Sequence, residues 1–287
     1  MKKCPYCGKE YPDDVVRCLI DDEPLSGGEQ PPPPPESETD TSAAPPASEA
    51  AVNLLPAVVL TDRQIRLFEL ILVCAIAFGT SILSSAYSFS GNLTSSSSSG
   101  EYRWIYAILR QASCLGLLWY VLVRSGRTFF DLGFSWVRTD IGWSFVLRIC
   151  GSAAFYAVYH TLYQTGLTSV DGTTSSAHVG RYLFGGHVAI MALLFQFLNP
   201  FFEELIVRAY VMTEVKHLTN SVGKAIFVST ALQTSYHFYQ GAPAALAHGA
   251  TFLIFSIYYA KTNRITPIIL AHLYTDVGFT LLYFFHH

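Results

Sequence analysis

The stretch "FLNPFFEELIVRAY", residues 197–210, sets two adjacent glutamates and an arginine within the most apolar half of a 287-residue chain. On an insertion scale each central charge costs about 2.5–3.5 kcal/mol, while each Leu, Ile, Phe or Val returns only about 0.3–0.6. Three charges therefore cancel most of the apolar gain of a whole helix. A segment that keeps them at membrane depth has to shelter them in a protein interior or a wet cavity, and such residues are functional candidates by default. Glu204 and Arg208 are four apart, so they share a helix face and can pair. Glu203 points about 100° away and is expected to have no partner in its own helix, which suits a carboxylate that takes and returns a proton. Pro200 removes a backbone donor to Gln196, so a kink is expected there, and broken backbone at membrane depth is tolerated where it lines a cavity.

The rest of the chain agrees with a membrane setting. Hydrophobic residues make up 51% and charged residues only 14%, and the mean hydropathy is positive, which places the chain with membrane proteins. A bilayer core needs about 20 mainly apolar residues per helix. Windows of that kind recur near 66–89, 104–123, 141–165, 187–212, 222–240, 243–260 and 266–285. The expected fold is all-α, a polytopic transmembrane helix bundle of about seven spans over residues 61–287.

Loop cations orient it. With the N-terminus in the cytoplasm, the inner segments carry Lys2, Lys3, Lys9, Arg17, Arg63 and Arg66, then Arg124, Arg127 and Arg138, then Lys216 and Lys224, and last Lys261 and Arg264. The outer loops keep Arg103 and Arg181, while Arg110, Arg148 and Arg208 fall inside spans. This is the asymmetry of the positive-inside rule. The first residues are polar, and no apolar run begins before about Leu67, which argues against a signal peptide. The expected location is an integral one, in a bacterial cytoplasmic membrane.

Two further segments precede the bundle. Residues 1–25 carry Cys4-x2-Cys7, then Cys18-x2-Asp21, the knuckle spacing of a tetrahedral zinc site with aspartate as a competent fourth ligand. A reducing cytosol favours thiolate ligation over disulfides. A small N-terminal zinc ribbon holding structural Zn through Cys4, Cys7, Cys18 and Asp21 is expected, against the alternative of a degenerate ribbon that has lost its metal. Residues 26–60 are rich in Pro, Ser, Glu and Ala and read as a disordered tether. Cys74, Cys114 and Cys150 stand singly within spans and are expected to pack.

Polar residues recur in the later spans. His237 lies in "LQTSYHFYQG" (232–241), and His272 and Asp276 lie four apart in "LAHLYTDVG" (270–278), so the acid can orient the imidazole or both can face one cavity. His160 and His248 read as packing histidines. Glu203, Glu204 and Arg208 could form a structural ion-pair cluster. Two glutamates, two histidines and an aspartate within three of the last four spans are harder to explain that way, and convergence on one site is the economical reading. Counted at about 1.5 Å per residue, His272 lies roughly 9 Å into its span and His237 about 20 Å into its own, a mismatch that a single site has to overcome.

These residues carry a resemblance. "EELIVR", Glu203 to Arg208, resembles the Glu-Glu-x3-Arg motif of the CPBP intramembrane proteases, the family of type II CAAX prenyl endopeptidases and the bacterial Abi and immunity proteins. His237 matches the family's Phe-x3-His motif, with Gln233 standing where Phe is expected. "HLYTD", His272 to Asp276, matches the final His-x3-Asn/Asp motif in its Asp form. The resemblance spans about Leu193 to Phe279, within a core at about 187–285. It implies an intramembrane endopeptidase that cleaves a membrane-associated peptide or protein. In that role Glu203 activates a water, His237 helps to hold it, and His272 with position 276 faces the developing oxyanion. Glu204 and Arg208 keep Glu203 in position. An ionised Asp276 would repel an oxyanion, so it is either protonated or orients His272. A catalytic metal stays open, since Glu203, His237 and His272 have His2Glu composition, although no His-Glu-x2-His motif accompanies them.

The competing readings are a non-catalytic immunity or scaffold protein and a proton-linked transporter, which uses the same residue types. The absence of a visible internal repeat counts against transport. Expected partners are the lipid bilayer, a membrane-associated peptide or protein substrate and a protein partner for the ribbon; no nucleic acid is expected.

Overall fold

The computed structural model describes residues 2–3, 10–12, 14–15, 61–89, 102–166 and 190–286. The chain divides into two units, Met1–Val59 and Leu60–His287. In the first, β1 (Lys2–Lys3) pairs antiparallel with β2 (Glu10–Tyr11), Lys2 opposite Tyr11. The expected zinc ligands Cys4, Cys7, Cys18 and Asp21, and the tether 26–60, lie outside the described residues.

The regular structure described in the second unit is helical. Helix α1 (Asp62–Phe89) opens on a capping box in which Thr61 N donates to Gln64 Oε1 at 2.9 Å and Gln64 N donates to Thr61 Oγ1 at 3.3 Å. Helix α2 (Tyr102–Arg124), a 3-10 turn (Phe129–Leu132) and α3 (Thr139–Gln164) follow. The next long segment is compound: α4 (Ile190–Glu203), a π-helical stretch (Glu204–Tyr210) and α5 (Val211–Thr219). It ends at Asn220, whose left-handed backbone suits asparagine. Helix α6 (Val222–Ser235) starts from Ser221, whose hydroxyl accepts from Lys224 N; α7 (Ala242–Thr262) and α8 (Thr266–His286) complete the unit.

Helices stand at all seven expected positions, and among the described residues five segments are long and apolar enough to cross a membrane: Asp62–Tyr87, Trp104–Arg124, Thr139–Gln164, Ile190–Thr219 and Ala242–Thr262. Length accounts for the difference at α6. Helix α6 has 14 residues, about 21 Å at the usual rise against a hydrocarbon core of about 30 Å. Within the bundle α6 packs against α5 and α7, and α8 against α3 and α4.

The cationic residues Arg63, Arg66, Arg124, Arg127, Arg138, Lys216, Lys224, Lys261 and Arg264 occupy the helix ends and short connections of one end of this bundle. Several have buried acids to meet. Glu214, 1% exposed, pairs with Arg127 and with Arg66 at 3.6 Å, and Asp140, fully buried, lies 2.6 Å from Arg264. Helix α8 begins inside this end. Ile265 N donates to Gly133 O at 3.2 Å, Thr266 Oγ1 donates to Ser135 O at 2.8 Å, and Ile265, Ile268 and Ile269 are buried.

Candidate active site

The glutamate pair lies at the junction where α4 gives way to the π-helical stretch. Helix α4 runs through Pro200 to Glu203, so the backbone irregularity falls at Glu204, beyond the proline where a kink is expected. Widened turns of this sort leave carbonyls in need of donors and recur at functional sites. Here Ser229 Oγ donates to Val207 O at 2.9 Å and Thr213 Oγ1 donates to Ala209 O at 2.6 Å. Every residue from Glu204 to Tyr210 is buried.

Glu203 is well partnered, contrary to expectation, and one partner comes from its own helix. Asn199 Nδ2 donates to Oε1 at 3.2 Å, and Oε2 accepts from Gln233 Nε2 at 2.9 Å and from Tyr236 OH at 2.8 Å. Asparagine four residues earlier lies on the same helix face. Tyr236 is fixed in turn by α1: its ring stacks on Phe78 with centroids 4.8 Å apart, and its carbonyl accepts from Ser85 Oγ at 2.8 Å.

Glu204 faces the other way into full burial. Its Oε2 lies 3.6 Å from Arg208 Nε, and its Oε1 takes His272 Nδ1 at 2.8 Å and Gln233 Nε2 at 3.3 Å. Arg208 is also fully buried. Its guanidinium reaches Ser229 Oγ at 3.5 Å and Phe252 O at 3.4 Å, and it lies 5.3 Å from the centre of the Phe252 ring. His272 stands between two carboxylates, with Nε2 3.5 Å from Asp276 Oδ1. Asp276 Oδ2 accepts from Asn199 Nδ2 at 3.2 Å, which closes a loop from Glu203 through Asn199, Asp276, His272, Glu204 and Gln233 back to Glu203.

His237 approaches from the end of α6. Its Nδ1 lies 2.8 Å from Gln233 O; a carbonyl only accepts, so Nδ1 carries the proton and Nε2 of the neutral ring offers a lone pair. Glu203 and His237 both line a cavity of about 330 Å³, together with Asn199, Tyr236 and residues of α1 and α2. Glu204, Arg208, His272 and Asp276 do not line it. The six expected residues thus share one neighbourhood, divided into a pair on the cavity and a group behind it.

The depth mismatch resolves through the start of α8. Because that helix begins buried against the 129–135 turn, its sixth residue beyond Thr266 lies deeper than a count from a membrane surface gives. The two histidines are then linked through Glu204 and Gln233.

Both oxygens of Glu203 hold hydrogen-bond donors, both nitrogens of His272 face carboxylates, and one nitrogen of His237 serves a carbonyl. Among the described residues no group of three or more His, Cys, Asp and Glu is arranged to hold a metal ion.

Sequence reasoning missed Asn199, Gln233 and Tyr236 as partners of Glu203, and Gln111, whose Nε2 donates to Asn199 Oδ1 at 2.7 Å. The available signal was an amide in an apolar span, since Gln111, Asn199 and Gln233 all stand in such surroundings. His248, read as a packing residue, has its ring 5.4 Å from that of His237 and 4.7 Å from Phe155. Among the single cysteines, Cys114 is buried, Cys74 half-buried and Cys150 exposed.

No curated protein and no solved structure matches the chain. A family model does: the type II CAAX prenyl endopeptidase Rce1-like family matches residues 185–278, a stretch that contains both glutamates, Arg208, both matched histidines and Asp276. Residues 185–278, which carry all three motifs, are thus similar to the Rce1-like type II CAAX prenyl endopeptidases.

Proposed function

We propose that the bundle is an intramembrane endopeptidase that hydrolyses a membrane-associated peptide or protein with water activated by Glu203. The observation that carries this reading is the pairing of the Glu203 carboxylate with the acceptor nitrogen of His237 on one cavity. A water donates one hydrogen to His237 Nε2 and the other to Glu203, which takes that proton as the oxygen attacks the peptide carbonyl and returns it to the leaving amine. Asn199, Gln233 and Tyr236 hold the carboxylate in place, and fixed placement of this kind is what converts a weak base into an effective one.

The family resemblance puts His272 and position 276 on the oxyanion. The hydrogen bonds favour another role, in which Asp276 and His272 act from behind: Asp276 holds Asn199, and His272 holds Glu204. Full burial favours a structural role for the Glu204–Arg208 pair.

The test compares membrane-proteome peptide ends between cells expressing the wild type and cells expressing Glu203→Gln at matched level. Peptide ends found only with the wild type support proteolysis and name a substrate. Equal ends with both proteins folded would move the reading to a scaffold or immunity protein. The spacing of Cys4, Cys7, Cys18 and Asp21 further suggests a structural zinc in the N-terminal segment. About one zinc per purified chain is expected, lost on Cys4→Ser with Cys7→Ser.

A further inference from the structure

The cavity holds a second charge that the proteolytic reading does not use. Arg110 enters it from α2, and Nη1 donates to Thr80 Oγ1 at 3.0 Å and to Ser81 Oγ at 3.4 Å on α1. The guanidinium carbon lies 5.8 Å from the centre of the Phe202 ring. Two weakly polar hydroxyls and an aromatic face position a cation without neutralising it. Among the described residues no carboxylate forms an ion pair with Arg110, whereas Arg66, Arg124, Arg127, Arg208 and Arg264 each have one. Among the described residues that line the cavity Glu203 is the single acid, and it holds other donors.

An unpaired charge at membrane depth is costly to keep, and a guanidinium offers a planar fork of donors that matches a carboxylate with two parallel hydrogen bonds. Nη1 is occupied by α1; among the described residues Nε and Nη2 have no hydrogen-bond partner and remain for a ligand.

We propose that Arg110 is an anion-recognition residue of the substrate cavity, binding a carboxylate of a peptide whose scissile bond lies at Glu203 and His237. This rests on the proteolytic reading for the bond cleaved, but not for the binding. The carboxylate is either the peptide's own C-terminus or an acidic side chain near the cleaved bond. A peptide is favoured over a lipid headgroup because the guanidinium shares its cavity with the proposed water-activating pair, and the volume, about 330 Å³, suits a short extended segment.

The experiment uses full-length protein in nanodiscs and three sets of apolar peptides: free C-terminal acids, C-terminal amides, and amides carrying one glutamate. Binding is measured on Glu203→Gln by fluorescence anisotropy, with and without Arg110→Gln and Arg110→Lys, and cleavage is measured on the wild type by mass spectrometry. Expected is a preference of at least roughly tenfold for carboxylate-bearing peptides, the loss expected when one charge-assisted pair is missing. Arg110→Gln abolishes that preference through the dissociation constant, and Arg110→Lys restores it in part. The acid and glutamate sets tell the two carboxylate sources apart. Equal binding of all three sets, or a preference that survives Arg110→Gln with the chain's melting temperature unchanged, overturns the proposal. So does Arg110-dependent binding of phosphatidylglycerol vesicles with indifference to the peptides, which would assign the residue to lipid. If carboxylate binding depends on Arg110 while no peptide is cleaved, the anion site stands and the proteolytic reading fails.

Discussion

At the scale of single residues, the site separates groups that meet the cavity from groups that hold them. Asn199 is the joint between the two. Its one amide nitrogen donates to both Glu203 and Asp276, and its oxygen is pinned by Gln111. Asn199→Leu leaves all three without that partner, and each buried polar group so orphaned costs about 1–3 kcal/mol. The expected outcome is a fall of about 10- to 100-fold in kcat with a smaller change in KM, together with a lowered melting temperature in detergent. Unchanged kcat would remove Asn199 from the support of Glu203. The buried pair behaves differently. Glu204→Gln or Arg208→Met alone strands a charge in the core and should cost about 3–5 kcal/mol, while replacing both costs less than the sum of the two. A double-mutant cycle on unfolding free energy checks this, and additive losses would mean that the pair is not coupled.

At the scale of elements, the decisive joint is the entry of α8 into the bundle. Gly133 has φ +78, and a Cβ there would meet Asn263 O at 1.8 Å. Its own carbonyl accepts from Ile265 N. Gly133→Ala therefore has to push away the loop that starts α8, and with it the depth at which His272 meets Glu204. Gly126 has a similar φ, +68, with nothing near its missing Cβ. Gly126→Ala should cost only the backbone strain of about 1–2 kcal/mol, whereas Gly133→Ala should cost several times as much or prevent accumulation of folded protein. Equal melting temperatures for the two variants would show that α8 is not held at Gly133. The π-helical stretch depends on its neighbours in the same way, since the donors for Val207 O and Ala209 O come from Ser229 on α6 and Thr213 on α5.

At the scale of the molecule, the cavity and the cationic connections occupy opposite ends of the bundle. The lining residues Thr80, Ser81 and Ser84 belong to the last third of α1, Arg110 to the first half of α2, Phe195 to the first half of α4, and Tyr236, His237 and Tyr239 to the turn that follows α6. The cationic residues flank the start of α1, the end of α2 and the α7–α8 connection. If the cationic end faces the cytoplasm, as the positive-inside rule expects, the cavity opens toward the other side of the membrane. In a variant whose native cysteines are replaced, Ser84→Cys should react with an impermeant maleimide added outside intact cells, and Lys261→Cys only after the cells are opened. The reverse pattern would invert the bundle and bring the cavity to the cytoplasm.

Composition and periodicity alone determined that the chain forms apolar helices at seven positions, because a lipid environment demands long apolar runs and leaves few other solutions for the backbone. The sequence also singled out the candidate polar residues, since Glu203, Glu204, Arg208, His237, His272 and Asp276 are conspicuous for their cost in such runs. It did not determine how they divide. Spacing says that Glu204 and Arg208 share a face, but whether a carboxylate has a partner depends on what another helix brings to it, and Gln233, Tyr236 and His272 all lie 29 or more residues from the glutamates they meet. Nor could a count of residues place His272, because α8 starts inside the protein, where depth is set by the docking of Ile265 on Gly133. The tertiary structure alone put Glu203 and His237 on a common cavity and turned Glu204, Arg208, His272 and Asp276 behind it, because only packed helices fix which faces of neighbouring segments meet.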